Sequence, residues 1–272
     1  MFYFFKMQAT GNDFIIINCL EVKLEYSYKL LSRFLCDRHF GVGGDGIIIL
    51  EKSEIADYKM KIFNKDGSEA EMCGNGIRCL GKYIYEKKIS DKKNLKIETL
   101  SGIKEIKLYI EGETVTEIEV NMGKPIFNKE EIPLLYLEEY TGKIYIENIE
   151  IYPISMGNPH AVCFVNRVTD ININKFGGLI ENYKYFPQKT NVEFVEILND
   201  ENIKVRVWER GVGETLSCGT GACASAVISN KYKSTKSKLN VDLIGGKLKI
   251  DYNNSVTLKG NAESIFEGKI IV

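Results

Sequence analysis

Two short segments hold the residues best suited to chemistry. Cys73 lies in MCGNGIRC (72–79) and Cys218 in SCGTGACA (217–224). Each cysteine is followed by Gly-x-Gly and then by helical spacing of small and apolar residues. Ile77, Leu80, Gly81 and Ile84 line up after the first, and Cys223, Ala226 and Val227 after the second. A thiol at a helix start faces unpaired backbone N–H groups and the positive end of the helix dipole. That setting can bring a thiol pKa from about 8.5 toward neutrality. The glycines at 74, 76, 219 and 221 let a ligand approach the backbone closely. Two such thiols suit a reaction in which one group removes a proton from one face of a carbon and the other delivers a proton to the opposite face. Inversion of an amino-acid α-carbon is that kind of reaction. N–H donors at two helix starts would hold the carboxylate and stabilise the enolate-like charge.

Either cysteine alone reads as easily as a small buried apolar residue. The pairing is what points to chemistry, and it extends along the chain. Cys73 and Cys218 are 145 positions apart, and nearly the same offset relates Phe63-Asn64 to Trp208-Glu209, Glu69 to Glu214, Gly11-Asn12 to Gly157-Asn158, and Gly102 to Gly246. Each Gly-Asn opens an apolar run, Phe14–Ile17 in one half and Ala161–Val165 in the other. These ordered matches describe two copies of one α/β unit, joined near residues 118–130. The expected division is 1–117 and 118–262.

The elements that must position the thiols follow from periodicity. Leu30, Leu31, Phe34 and Leu35 predict a helical face with Ser27 as N-cap, and Phe176, Leu179, Ile180 and Tyr183 predict its counterpart. Residues 103–121 alternate as a half-buried hairpin. Residues 247–260 repeat that pattern with Asn253-Asn254 at the turn, and 268–272 reads as a last strand. Many strands with few helices predict an α+β fold of two pseudo-symmetric tandem domains. The active site is expected in the cleft between them, where a pseudo-twofold axis would present the cysteines from opposite sides.

Composition narrows the function classes. The chain has 272 residues, 44% of them hydrophobic, enough for two cores. The net charge of −1 carries no basic stripe, so nucleic-acid binding is unsupported, and the locally basic 232–240 reads as a solvated loop. No apolar run approaches the roughly 20 residues of a membrane span. The aromatic start reads as a strand rather than a signal peptide. Seven cysteines without a C-x-x-C pair suit a reducing cytoplasm, and with only two histidines, His39 and His160, a structural zinc site is poorly supported.

The chain resembles diaminopimelate epimerases from end to end. The resemblance rests on ATGNDF (9–14), GVGGDG (41–46), FNKDGSEAEMCGNGIRC (63–79), MGNPH (156–160), TNVEF (190–194) and ERGVGETLSCGTGACA (209–224). Proline racemases share the fold and cysteine pair but differ around the cysteines. The resemblance implies conversion of LL-diaminopimelate to the meso form in lysine and peptidoglycan precursor synthesis. It also implies a cytoplasmic homodimer with no cofactor or metal, and a last strand (263–272) returning to the first domain. Carried over by position, Cys73 matches the proton donor and Cys218 the acceptor for one direction. Gly74, Asn75, Gly219 and Thr220 match the segments around the reacting carboxylate and amine. Asn12, Asn64, Asn158 and Asn191 match substrate-binding positions, as do Glu209 and Arg210. A forked arginine contact suits a carboxylate, and amides can both donate and accept, which fits a substrate with two amino-acid ends. His160 is a candidate for orienting the site. Some members carry a substrate-binding glutamine where this chain has Gly46. A racemase of the same fold for another amino acid, a redox thiol protein and an amino-acid binding module are the competing readings.

Overall fold

The duplication shows most directly in strand pairing. The computed structural model describes residues 1–21, 24–135 and 140–271. The first copy runs β1 (Phe2–Ala9), β2 (Asn12–Asn18), α1 (Tyr28–Leu35), β3 (Gly46–Glu51), β4 (Tyr58–Asn64), β5 (Glu69–Ala70), α2 (Gly74–Glu86), β6 (Asn94–Thr99), β7 (Gly102–Glu111) and β8 (Thr114–Gly123). The second contains β9 (Ile144–Ile146), β10 (Ile149–Ser155), β11 (Pro159–Phe164), α3 (Ile173–Glu181), β12 (Asn191–Ile197), β13 (Asn202–Glu209), β14 (Gly213–Thr215), α4 (Gly219–Lys233), β15 (Lys238–Leu243), β16 (Gly246–Asn253) and β17 (Ser255–Gly260). In the first copy β1/β2 is antiparallel, β2/β3 parallel, β3/β4 and β4/β5 antiparallel, β4/β6 parallel and β6/β7 antiparallel. In the second, β10/β11, β11/β12, β12/β13, β13/β14, β13/β15 and β15/β16 repeat that series in the same order.

The register aligns the copies residue by residue. Phe14 pairs with Gly46 where His160 pairs with Asn191. Gly46 faces Asn64 across β3/β4. Val192 faces Trp208 across β12/β13, so the preceding rung sets Asn191 opposite Glu209. Gly46 of one copy is therefore the counterpart of Asn191 in the other.

Chain contacts divide the molecule into Met1–Asn121 with the segment from Lys259 onward, and Met122–Leu258. The final strand, Glu263–Ile270, pairs antiparallel with β1, from Phe2↔Ile270 to Gln8↔Glu263.

The apolar runs in the middle strands are continuous because both sheet faces are covered. Ile15, Ile17, Ile47 and Ile49 pack with Leu31 and Leu35 of α1 in one cluster. Ile48 points the other way, and its Cδ1 would lie 3.1 Å from a Cβ on Gly76 in α2. In the second unit Ala161, Cys163, Val192 and Phe194 pack with Ile173 and Ile180 of α3. Each fully buried isoleucine contributes roughly 2 kcal/mol, so these layers hold α1 and α3 on the sheet face opposite the one Ile48 presents to α2.

Two local expectations are corrected. The buried face of α1 is Leu31, Ser32 and Leu35, with Tyr28 packed beside them, while Leu30 and Phe34 are exposed, so the helix meets the sheet with a face turned from the expected one. Ser27 is the N-cap of α1, as expected, although its side chain makes no capping hydrogen bond. The basic stretch 232–240 is mostly ordered: α4 extends to Lys233, ends at Ser234 in the left-handed region (φ 57°), and β15 begins at Lys238.

Candidate active site

Each cysteine is the N-cap of its helix. Cys73 is extended (φ −140°, ψ 117°) ahead of α2, and Cys218 (φ −123°, ψ 117°) ahead of α4. The Gly-x-Gly spacing places the next glycine N–H over the sulfur. Gly76 N–H donates to Cys73 Sγ at 3.4 Å, and Gly221 N–H to Cys218 Sγ at 3.4 Å. A Cβ at Gly221 would come within 2.7 Å of Glu193 Oε1, so the close approach of α4 to β12 requires glycine there.

In the first unit, Gly11 (φ 84°) turns the chain from β1 into β2 and sets Asn12 beside the thiol. Cys73 Sγ donates to Asn12 Oδ1 at 3.7 Å, and Asn75 Nδ2 donates to the same oxygen at 3.3 Å. Asn12 Nδ2 donates to Asp45 Oδ2 at 2.7 Å. Asp45 also accepts from Asp13 N–H at 3.2 Å and from Arg38 at 3.2 Å. The fully buried Arg78 donates to Gly74 O at 3.0 Å and to Asn261 O at 3.1 Å, tying the start of α2 to the returning segment. Asn64 ends β4, exposed, with Nδ2 donating to Ser68 Oγ at 3.0 Å. A Cβ at Gly46 would meet Phe63 O at 2.8 Å, so any side chain at this position requires the neighbouring strand to shift.

In the second unit, Gly157 (φ 95°) does for Asn158 what Gly11 does for Asn12. Asn158 Nδ2 donates to Thr220 Oγ1 at 3.4 Å, and Thr220 Oγ1 lies 3.4 Å from Cys218 Sγ. His160 Nε2 lies 3.0 Å from Asn158 Oδ1, and His160 Nδ1 lies 2.7 Å from Glu193 Oε1. Both ends of the Asn191 amide engage backbone: Nδ2 donates to Pro159 O at 2.9 Å, and Oδ1 accepts from Arg210 N–H at 3.0 Å. Glu209 Oε1 accepts from Thr215 Oγ1 at 2.5 Å, while the exposed Arg210 donates to Gln188 O at 3.3 Å. Glu181 supports this loop by accepting from Trp208 Nε1 and Gly211 N–H, each at 2.8 Å.

Cys73 is partly exposed and Cys218 buried. Burial pushes the Cys218 thiol well above its ordinary range, and the carboxylates of Glu209 and Glu193 push the same way. The Thr220 hydroxyl and Gly221 N–H oppose this. Burial also pushes Cys36 and Cys79 up to about 12 and raises Cys163.

Every expected residue of the first unit except Asn64 lies within the linked group around Cys73. In the second unit, Asn158, His160, Gly219 and Thr220 gather around Cys218, with Asn191, Glu209 and Arg210 linked through the β12/β13 rung. Sequence reasoning missed Asp45, Glu181 and Glu193. Glu193 had one visible signal: it is a lone charge inside the apolar strand TNVEFV, on the same face as Asn191. Asp45 lies in the quoted GVGGDG motif, but neither it nor Glu181 shows its role locally, because their partners are distant in the chain. Among the described residues, no group of three or more His, Cys, Asp or Glu is placed to hold a metal ion, and no helix is long and apolar enough to cross a membrane.

Comparison with known proteins agrees with this architecture. A hydroxyproline epimerase from Agrobacterium vitis, solved with trans-4-hydroxy-L-proline bound, superposes with a TM-score of 0.73 at 13% identity over 98% of this chain and 91% of its own. The site sits on a fold of two tandem α/β units with a thiol capping one helix in each, and the family and relatives make this protein an isomerase. A sequence profile of the diaminopimelate epimerases matches residues 4–128 and 152–264. A diaminopimelate epimerase from Methanococcus maripaludis is 47% identical, covering 98% of this chain and 99% of its own. One from Halothermothrix orenii is 45% identical, covering 99% and 98%. The chain belongs to the diaminopimelate epimerase family.

Proposed function

We propose that this protein converts LL-2,6-diaminopimelate to the meso form, with Cys73 and Cys218 as an acid/base pair acting on opposite faces of one α-carbon. The observation that carries the reading is the matched pair of N-cap thiols, each under the N–H of the glycine three residues on. Removal and return of a proton by a single base would favour retention, so inversion needs a second group. In one direction Cys218 removes the α-proton and Cys73 supplies the new one; in the other the roles reverse. The substrate carboxylate sits at the helix starts formed by Gly74-Asn75 and Gly219-Thr220, where free N–H groups stabilise the developing enolate-like charge. No cofactor takes part in this scheme.

Asn12, Asn64, Asn158, Asn191, Glu209 and Arg210 bind the two amino-acid ends in this reading. Arg210 supplies the only guanidinium among them, which suits the distal carboxylate. His160 orients Asn158. The enzyme works as a cytoplasmic homodimer in lysine and peptidoglycan precursor synthesis. All seven cysteines are free thiols, which suits a reducing compartment.

The test is incubation with LL-diaminopimelate in deuterated water under reducing conditions, with trans-4-hydroxy-L-proline and proline in parallel. α-Deuterium incorporation together with meso product is expected for diaminopimelate alone. Exchange confined to another amino acid would reject the substrate, and no exchange with any would reject the reaction.

A further inference from the structure

The two units solve the same packing problem with different chemistry. Where the first unit has Phe14 and Ile48, the second has His160 and Glu193 at equivalent rungs. Ile48 and Glu193 each pack against the second glycine of a cysteine motif. His160 and Glu193 are both fully buried, and among the described residues Glu193 Oε2 has no hydrogen-bond partner.

Hydrogen placement follows from the contacts. Asn158 Oδ1 faces His160 Nε2, so Nε2 carries a hydrogen. The contact between Nδ1 and Glu193 Oε1 holds a second, on the ring or on the carboxyl. The pair therefore keeps two protons and no net charge. The reverse amide orientation would need a bare Nε2 and an ionised, fully buried carboxylate with one oxygen unpaired, which is the costlier state. With Asn158 Oδ1 occupied, its Nδ2 faces Thr220 Oγ1, and the Thr220 hydroxyl hydrogen is left for Cys218 Sγ. Each donor in this series points toward the sulfur, and such chains reinforce one another. Around Cys73 the polarity is opposite. Asp45 occupies Asn12 Nδ2, so Asn12 presents its oxygen to the thiol.

We propose that Glu193 is a positioning residue for the epimerisation: it keeps the hydrogen on His160 Nε2, locks the amide of Asn158 toward Thr220, and so makes Thr220 a hydrogen-bond donor to Cys218. This rests on the reading of Cys218 as one of the two acid/base thiols. The charged groups acting on that sulfur are Glu209 and Glu193 themselves.

The test compares Glu193→Leu and Glu193→Gln with the unaltered protein. The readouts are site-resolved alkylation of Cys218 and Cys73 by iodoacetamide at neutral pH, and kcat with diaminopimelate. In Glu193→Leu, Cys218 alkylation and kcat are each expected to fall about tenfold or more, because the thiolate loses an oriented donor, while Cys73 alkylation stays within twofold. Glu193→Gln, whose amide can donate to Nδ1 and keep the hydrogen on Nε2, is expected to recover most of both. Should Glu193→Leu fail to fold, His160→Phe with Glu193→Ile copies the packing of the first unit and is expected to show the same selective loss. Unchanged Cys218 alkylation in a folded variant, equal loss at both cysteines, or a glutamine variant as impaired as leucine would each overturn the proposal. Absence of diaminopimelate turnover in the unaltered protein would instead reject the functional reading, and the alkylation comparison would still decide the role of Glu193.

Discussion

Asn12 and Asn158 occupy equivalent places in the two units and turn their amides in opposite senses. Asn12 offers its oxygen toward Cys73 because Asp45 takes the nitrogen at 2.7 Å. Asn158 offers its nitrogen toward Thr220 because His160 takes the oxygen at 3.0 Å. A duplicated scaffold thus gives two thiols of like geometry and unlike surroundings. That suits a pair in which one holds a proton while the other receives one.

Replacement of either thiol tests the pair directly. Cys73→Ala and Cys218→Ala are each expected to lower kcat for epimerisation by at least about 10²-fold, the usual scale for a lost acid/base group. Circular dichroism should stay unchanged in both. Cys79→Ala is the control: that thiol is buried inside α2 rather than at its N-cap, so its loss should leave turnover within twofold. Full activity in either of the first two variants would contradict the two-thiol scheme.

Packing behind the second site is tight at one defined point. A Cβ on Gly177 would lie 2.6 Å from Trp208 Cγ and 2.8 Å from Trp208 Cβ. Gly177→Ala would gain up to about 1 kcal/mol of helix propensity in α3. Overpacking against an indole that is also tied to Glu181 costs about 1–3 kcal/mol and outweighs it. The variant is expected to unfold at lower urea concentration, with a red-shifted emission from this single tryptophan. Stabilisation would show that β13 yields freely.

Acid should weaken the first unit through Asp13. Burial alone would raise its pKa, but hydrogen bonds from Arg38 and Lys6 and the Lys6 charge prevail and hold the carboxyl at about 2. The folded value lies below the unfolded value of 3.8, so this stabilisation is complete above about pH 5 and is lost as pH falls toward 2. Because Arg38 is largely exposed, the contribution is on the order of 1 kcal/mol after screening. Asp13→Asn should therefore be less stable than the unaltered protein at pH 7, with a difference that shrinks toward pH 2. A difference constant over that range, followed by chemical denaturation, would exclude the linkage.

The sequence by itself determined the repeat and the two cysteines that begin its helices. Cysteine, Gly-x-Gly and helical periodicity are local patterns, and an N-cap geometry needs only neighbouring residues, so both thiols were legible. The offset between motifs revealed the duplication because insertions between equivalent strands are small. Tertiary structure decided what surrounds each thiol. Asp45 reaches Asn12, and Glu193 reaches His160, only once parallel strands far apart in sequence are set side by side. Gly46 and Asn191 become counterparts only through that strand register. The buried face of α1 was likewise decided by which side of the helix meets the sheet, with Tyr28, Leu31, Ser32 and Leu35 turned inward and Leu30 and Phe34 left in solvent. Periodicity names the residues that can be buried, whereas hydrogen-bond partners and burial depend on contacts that strand pairing alone creates.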